Sequence, residues 1–135
     1  MARSQQKLGP AGAVYLCLSL AAQSRHPLSH GVDAPVAPMN PMLGIYAAVA
    51  RQDERGEPAG GWYPEERLTV AEAIEGYTLG PAYLSGKQAV QGSVTPGKWA
   101  DLVMLSQDLF EVSPDQIPET LAEMTIFEGQ VVYQA

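Results

Sequence analysis

Glycine (13 residues) and proline (11 residues) make up nearly a fifth of this 135-residue chain. Proline removes a backbone donor and fixes φ, and glycine takes the positive φ that ends helices and turns hairpins, so the chain can fold only as many short elements joined by turns. Within that limit a core is still available. Hydrophobic residues are 46% of the chain and charged residues 17%, a balance of a globular protein rather than a disordered one. The length suits one ordinary domain.

Eight basic residues face fifteen acidic ones, for a formal net charge of -7. With no basic excess to neutralise phosphates, nucleic acid is not an expected partner. The single cysteine, Cys17, excludes an internal disulfide and a four-cysteine zinc site, and no histidine or acid stands near it in sequence to activate it as a nucleophile. No apolar run reaches the roughly 18 residues of a membrane-spanning helix, so no membrane is expected as a partner either.

The first thirty residues differ from the rest. Met1 to His30 holds no carboxylate, and all fifteen lie from Asp33 onward. Arg3 and Lys7 precede an apolar run from Ala11 to Ala22. That order resembles a signal peptide, which makes secretion the alternative to a cytoplasmic location if residues 1–22 act as one. Residues 1–30 are otherwise expected to be a disordered segment or a stretch of separate origin. His26 and His30 stand four apart, a metal-binding spacing on a helix, but Pro27 disfavours helix at His26, so both read as loop histidines.

Residues 31–41 carry three prolines and read as an extended loop. Asn40-Pro41 is a helix start, and Leu43, Tyr46, Ala47 and Ala50 predict an amphipathic helix over 41–52. Residues 56–61 form an exposed loop leading to Trp62 and Tyr63. Thr69 and Glu72 form a capping box that opens a helix over 70–78, with Val70, Ala73, Ile74 and Tyr77 on one stripe. Gly80-Pro81 interrupts it, and a further short helix over 81–85 ends at Gly86. Beyond Gly92 the pattern becomes β-rich. Pro96-Gly97 is a turn, Ala100 to Leu105 suits a buried strand, and Ser113 with Gln116 starts a short helix that Pro118 curtails. Residues 123–127 and 130–133, joined by Glu128-Gly129, read as a hairpin.

Isolated residues offer little chemistry. Trp62 and Tyr63 beside a glycine-rich loop are compatible with a substrate entrance, but surface packing is the commoner role for such aromatics. Pro96-Gly97-Lys98 lacks the spaced glycines and the Ser/Thr of a phosphate loop. Glu65 and Glu66 read as a solvated pair rather than a catalytic one.

Five collinear stretches carry a resemblance: GVDAPV (31–36), NPMLGIYAAVARQD (40–53), GGWYPEERLTVAEAIEGYTLGPAYLSG (60–86), GSVTPGKWADLVMLSQDLF (92–110) and TIFEGQVVY (125–133). Together they resemble the C-terminal end of amidohydrolase family 3, a branch of the metal-dependent hydrolases that includes N-substituted formamide deformylase-like enzymes. The resemblance runs over about residues 31–134, and residues 1–30 show none. It implies an α/β fold: the C-terminal fragment of a (β/α)8 barrel at about 31–90, then the C-terminal part of a small β-sandwich over residues 91–135, with its β-rich sequence at 92–134. A complete barrel takes about 250 residues, so most of it is not in this chain.

The same resemblance implies hydrolysis of non-peptide carbon–nitrogen bonds in a small amide-like substrate, with a divalent metal, zinc, as cofactor. Asp33 matches the aspartate at the end of the last barrel strand, which in the family binds the metal and takes a proton from the attacking water. Val32 stands where the family usually has serine. The remaining ligands of the family come from a His-x-His and from residues on other strands, and this chain has no His-x-His. A catalytic zinc needs about three protein ligands. The chain is therefore expected to be a truncated or misread frame, inactive alone and not retaining the metal, with self-association through exposed apolar surface such as a bared helix 41–52. The alternative is a non-catalytic β-rich binding or assembly module.

Overall fold

In the computed structural model, which describes residues 27–32, 34–35 and 38–135, the first helix begins as its sequence dictates. The Asn40 side chain accepts from the Met42 backbone N–H at 3.0 Å and Pro41 fills the first helical position. Helix α1 runs Pro41–Ala50 and ends at Arg51, whose left-handed backbone (φ 59°) closes the last turn by donating to the Ala47 carbonyl. It is shorter than the expected 41–52 by that residue and the next. Its environment also differs from the expectation. Met42, Ile45, Tyr46, Ala48 and Ala50 are buried, so apolar contact surrounds much of the helix instead of one stripe. The helix is not bared to solvent.

Helix α2, Val70–Tyr77, opens on the expected capping box: the Glu72 N–H donates to Thr69 Oγ1 (3.2 Å), and the Thr69 N–H donates to Glu72 Oε2 (2.8 Å). The Thr69 N–H, together with the Thr69 hydroxyl, which donates to the same oxygen at 2.8 Å, holds the Glu72 carboxyl below the ordinary carboxylate range. Helix α3, Leu79–Leu84, follows almost without a break. It starts two residues before the expected 81, because a proline in a first helical turn loses no hydrogen bond and so does not delay the helix. Its end is a Schellman closure on Gly86 (φ 71°), in which Lys87 donates to the Ala82 carbonyl (2.7 Å) and Gly86 to that of Tyr83 (2.9 Å).

The second half supplies three strands: β1 (Leu102–Leu105), β2 (Ala122–Phe127) and β3 (Gln130–Gln134), in an antiparallel sheet of order β1-β2-β3. Glu128 (φ 49°) and Gly129 (φ 79°) make the tight β2–β3 turn, as the sequence predicts. Asp101 braces it by accepting from the Glu128 N–H at 2.9 Å. The expected buried strand over 100–105 is a correction: Val103 and Met104 are exposed, because no described layer packs over this part of the sheet.

Between β1 and β2 a 3-10 helix, Pro114–Glu119, starts on the Ser113–Gln116 capping box and continues through Pro118. Gln107 ties it to the neighbouring loop by donating to the Gln116 carbonyl and to Thr120 Oγ1. This element joins the two halves. Ile117 (0% exposed) and Leu109 (4%) enter the same core as Ile45, Tyr46, Leu68 and Ala73, so α1 lies between α2 on one side and the 3-10 helix on the other. No helix among the described residues is long and apolar enough to cross a membrane.

Candidate functional site

The segment that leads to Asp33 is fixed on the junction of α2 and α3. The His30 N–H donates to the Gly76 carbonyl at 2.7 Å. At Gly76 a side-chain carbon would come within 2.9 Å of the His30 ring, and at Gly80 it would collide with the Leu28 carbonyl. Two glycines four apart thus clear a trough in which Leu28 to His30 lies against helical backbone. The His30 ring meets Tyr77 edge to face, with centroids 5.2 Å apart. The Tyr77 hydroxyl in turn packs against Gly44 of α1, where there is no room for a side chain. Gly44, Gly76, Tyr77, Gly80 and His30 form a continuous chain of contact from α1 to the approach of Asp33.

Burial sets the electrostatics of this corner. His30 Nε2 is buried with no hydrogen-bond partner among the described residues, and burial pushes the imidazole pKa below its ordinary value. It also raises the Tyr77 hydroxyl above its ordinary value. Both groups are therefore held neutral near pH 7. A neutral imidazole is suited to ligation, but one ring is far short of a site. Among the described residues no three His, Cys, Asp or Glu side chains gather closely enough to hold a metal ion.

Asp33 itself, the residue expected to bind metal, lies outside the described residues, as do His26 and Cys17. The other candidates resolve locally. Trp62 is half-buried and packs edge to face on Tyr63 (4.5 Å). The Arg51 guanidinium sits 5.3 Å from the Trp62 ring, and Arg51 Nε donates to the Trp62 carbonyl at 3.1 Å. Gly61 lets this loop close, since a side chain there would meet the Ala50 carbonyl at 2.6 Å. The aromatic pair thus anchors the loop after α1. Gly97 (φ 92°) serves its turn, and Lys98 donates to the Gln91 carbonyl at 2.9 Å, so neither faces a phosphate. The sequence reading missed the docking of His30 and the burial of Arg51. The Gly76/Gly80 spacing was the available signal for the first, whereas nothing in the pattern around Arg51 distinguishes it from a surface arginine.

A family model described as the amidohydrolase family matches residues 5–133. The match starts well ahead of residue 31, where the resemblance read from the residues begins. YtcJ of Bacillus subtilis, an amidohydrolase by name, is 36% identical over 104 residues, which cover 77% of this chain and 20% of that protein. The N-substituted formamide deformylase of Arthrobacter pascens is 31% identical over 102 residues, covering 76% of this chain and 18% of the relative. The protein LONG AFTER FAR-RED 3 of Arabidopsis thaliana is 36% identical over 107 residues, covering 78% and 18%. Among solved structures, an amidohydrolase from Thermotoga maritima MSB8 aligns with a TM-score of 0.50 at 22% identity, over 76% of this chain and 22% of that one. The chain thus spans about a fifth of the length of the curated relatives it matches. With the helices and the three-stranded sheet in an α/β arrangement and the family match running along nearly the whole sequence, the chain belongs to the amidohydrolase family.

Proposed function

We propose that this chain is the C-terminal portion of a metal-dependent amidohydrolase acting on non-peptide carbon–nitrogen bonds. The collinear family match over residues 5–133 carries the reading. The name of the Arthrobacter pascens relative, N-substituted formamide deformylase, gives the substrate class: a small formamide or similar amide. In this reading α1 to α3 are helices from the end of a (β/α)8 barrel, the residues from 31 to α1 are the loop after its last strand, and β1 to β3 belong to the accompanying β-sandwich.

Asp33 then stands at the end of the last barrel strand, where that fold exposes its reacting groups. A carboxylate there can ligate a divalent cation, accept a proton from water and return it to a leaving amine. The described residues do not supply the rest of such a centre. A catalytic zinc needs about three protein ligands, and the described part of the chain gathers no such set. The chain by itself therefore holds zinc weakly and hydrolyses no amide. Metal analysis of the purified 135-residue chain, with an N-substituted formamide as assay substrate, tests this. The expected result is sub-stoichiometric zinc and no turnover. Stoichiometric zinc with turnover that disappears in Asp33→Ala overturns the inactive reading and retains the site.

The uncovered sheet supports a second reading, a non-catalytic module for binding or assembly. Val103, Met104, Val131 and Tyr133 lie exposed on it. A partner that binds the chain and is unrelated to amidohydrolases would favour that reading.

A further inference from the structure

Leu28 to His30 is held by shape and by a single backbone bond. The trough that receives it exists because Gly76 and Gly80 carry no side chain. At Gly76 a side-chain carbon would lie 2.9 Å from the His30 Cε1 and Nδ1 atoms, and at Gly80 it would lie 2.9 Å from Ser29 Cα. The His30 N–H, donating to the Gly76 carbonyl at 2.7 Å, makes the one backbone hydrogen bond that joins residues 27–32 to the rest of the described chain. Leu28 adds apolar contact with the core. The helices beneath are secured independently, α2 by its capping box and the fully buried Ala73, α3 by its closure on Gly86. A segment with so few contacts opens at lower free energy than the elements it rests on.

The seated ring suits one protonation state. Imidazolium carries an N–H on both nitrogens, so His30 Nε2 would become a charged donor, buried and with no acceptor among the described residues. No charged group shown against the ring offsets that charge. Residues 27–32, α1 and α3 contain no charged residue. On α2, Glu72 is engaged by Thr69, and Glu75 is exposed to solvent. The remaining titratable groups on these elements are Tyr46, Tyr77 and Tyr83, and phenols supply no anion near neutral pH. Burial alone lowers the His30 pKa.

We propose that His30 is a proton-operated latch: the neutral ring keeps Leu28 to His30 seated in the Gly76/Gly80 trough, and a proton taken from water onto the ring releases that segment while α2 and α3 stay folded. Asp33 follows three residues later, so the latch governs the approach to it. The latch depends neither on Asp33 binding a metal nor on the family reading. The released ring titrates near its ordinary 6.5 and the seated ring below it, so seating is fully favoured above 6.5 and weakens as pH falls towards the seated value.

The test follows the His30 ring and the backbone amides of the full chain by NMR between about pH 8 and about pH 5, the range in which histidine titrates. Glu72, held below 4.5, stays ionised there. Corrected for the intrinsic rate at each pH, protection of the His30 amide falls about tenfold per pH unit below 6.5, the mark of one proton. Protection of Ala73 and Ala82, inside α2 and α3, does not change. The His30 ring titrates below 6.5, over the same range as its amide. His30→Phe, which keeps an aromatic ring beside Tyr77 and cannot titrate, loses the pH dependence. Should that variant fail to seat, the wild-type ring and amide curves decide the matter alone. A ring that titrates at 6.5 or above overturns the latch. So does a ring that titrates lower while amide protection stays flat, since the proton then enters without release. Parallel loss of protection at Ala73 and Ala82 overturns it by showing that the helices unfold. A pH dependence that survives in His30→Phe, or that vanishes in Asp33→Asn, assigns the proton to another group and overturns it as well.

Discussion

Two parts of this small chain are drawn from similarly apolar sequence, yet one closes on itself and the other does not. Around α1, helix α2, the 3-10 helix and Leu68 leave Ile45, Ala48, Ala73 and Ile117 with 3% exposure or less. In the sheet, Val103, Met104, Phe127, Val131, Val132 and Tyr133 all remain exposed. The difference is geometric. A helix can be enclosed by neighbours from several directions with about ten residues apiece, whereas a sheet has two broad faces and needs a layer on each. The helical region therefore sets the stability of the isolated chain more than the sheet does.

The largest effect expected from this contrast is in the core. Ile117→Ala should cost about 2–5 kcal/mol, because it opens a cavity between α1 and the 3-10 helix. Chemical denaturation would measure it, and a cost under about 1 kcal/mol would mean that the two halves do not share a core. Next is Gly76→Ala, which puts a methyl into the His30 ring and should destabilise by about 1–3 kcal/mol while releasing the His30 amide to solvent exchange. Combining it with His30→Gly should recover part of the loss, since the colliding ring is then gone. Thr69→Ala removes the capping box of α2 and should cost about 1 kcal/mol. Fraying of residues 70–73 in hydrogen exchange would report it.

A smaller effect depends on pH. Burial holds the His30 pKa below its ordinary 6.5, so the unfolded chain takes up a proton first and stability rises with pH. The contribution is fully present above 6.5 and is lost as pH falls below it towards the folded value. Glu72 acts at lower pH, its contribution present above 4.5 and lost as pH falls through its depressed folded value. Comparing denaturation midpoints of the wild type and His30→Gln across pH 6.5 isolates the first; an unchanged slope would show that His30 is solvated. The smallest effect belongs to the sheet. Val103→Lys should change stability by no more than about 0.5 kcal/mol, as for other exposed positions. A loss comparable to that of Ile117→Ala would show β1 to be covered and erase the contrast between the regions.

Local chemistry was legible wherever it is settled within a few residues. The Asn40 cap, the Thr69–Glu72 and Ser113–Gln116 boxes, the Gly86 stop and the Glu128-Gly129 turn all form where their residue types demand, because each depends on backbone groups no more than about four positions away. The family was legible too, from five stretches whose order survives in the chain. Burial was not. Leu43 and Ala47 fit a helical stripe as well as Met42 and Ala48 do, and only packing against Ile117, dozens of residues later, decides which are enclosed. Likewise Ala100 to Leu105 has the composition of a buried strand, but composition cannot say whether a covering layer is present.

The sequence by itself determined the caps, the turns, the order of elements and the family, since these follow from short-range hydrogen bonding and from residue identity. Tertiary structure alone decided that α1 is enclosed, that β1 is bare and that His30 lies in the Gly76/Gly80 trough, because solvent exclusion depends on which distant segments meet in space.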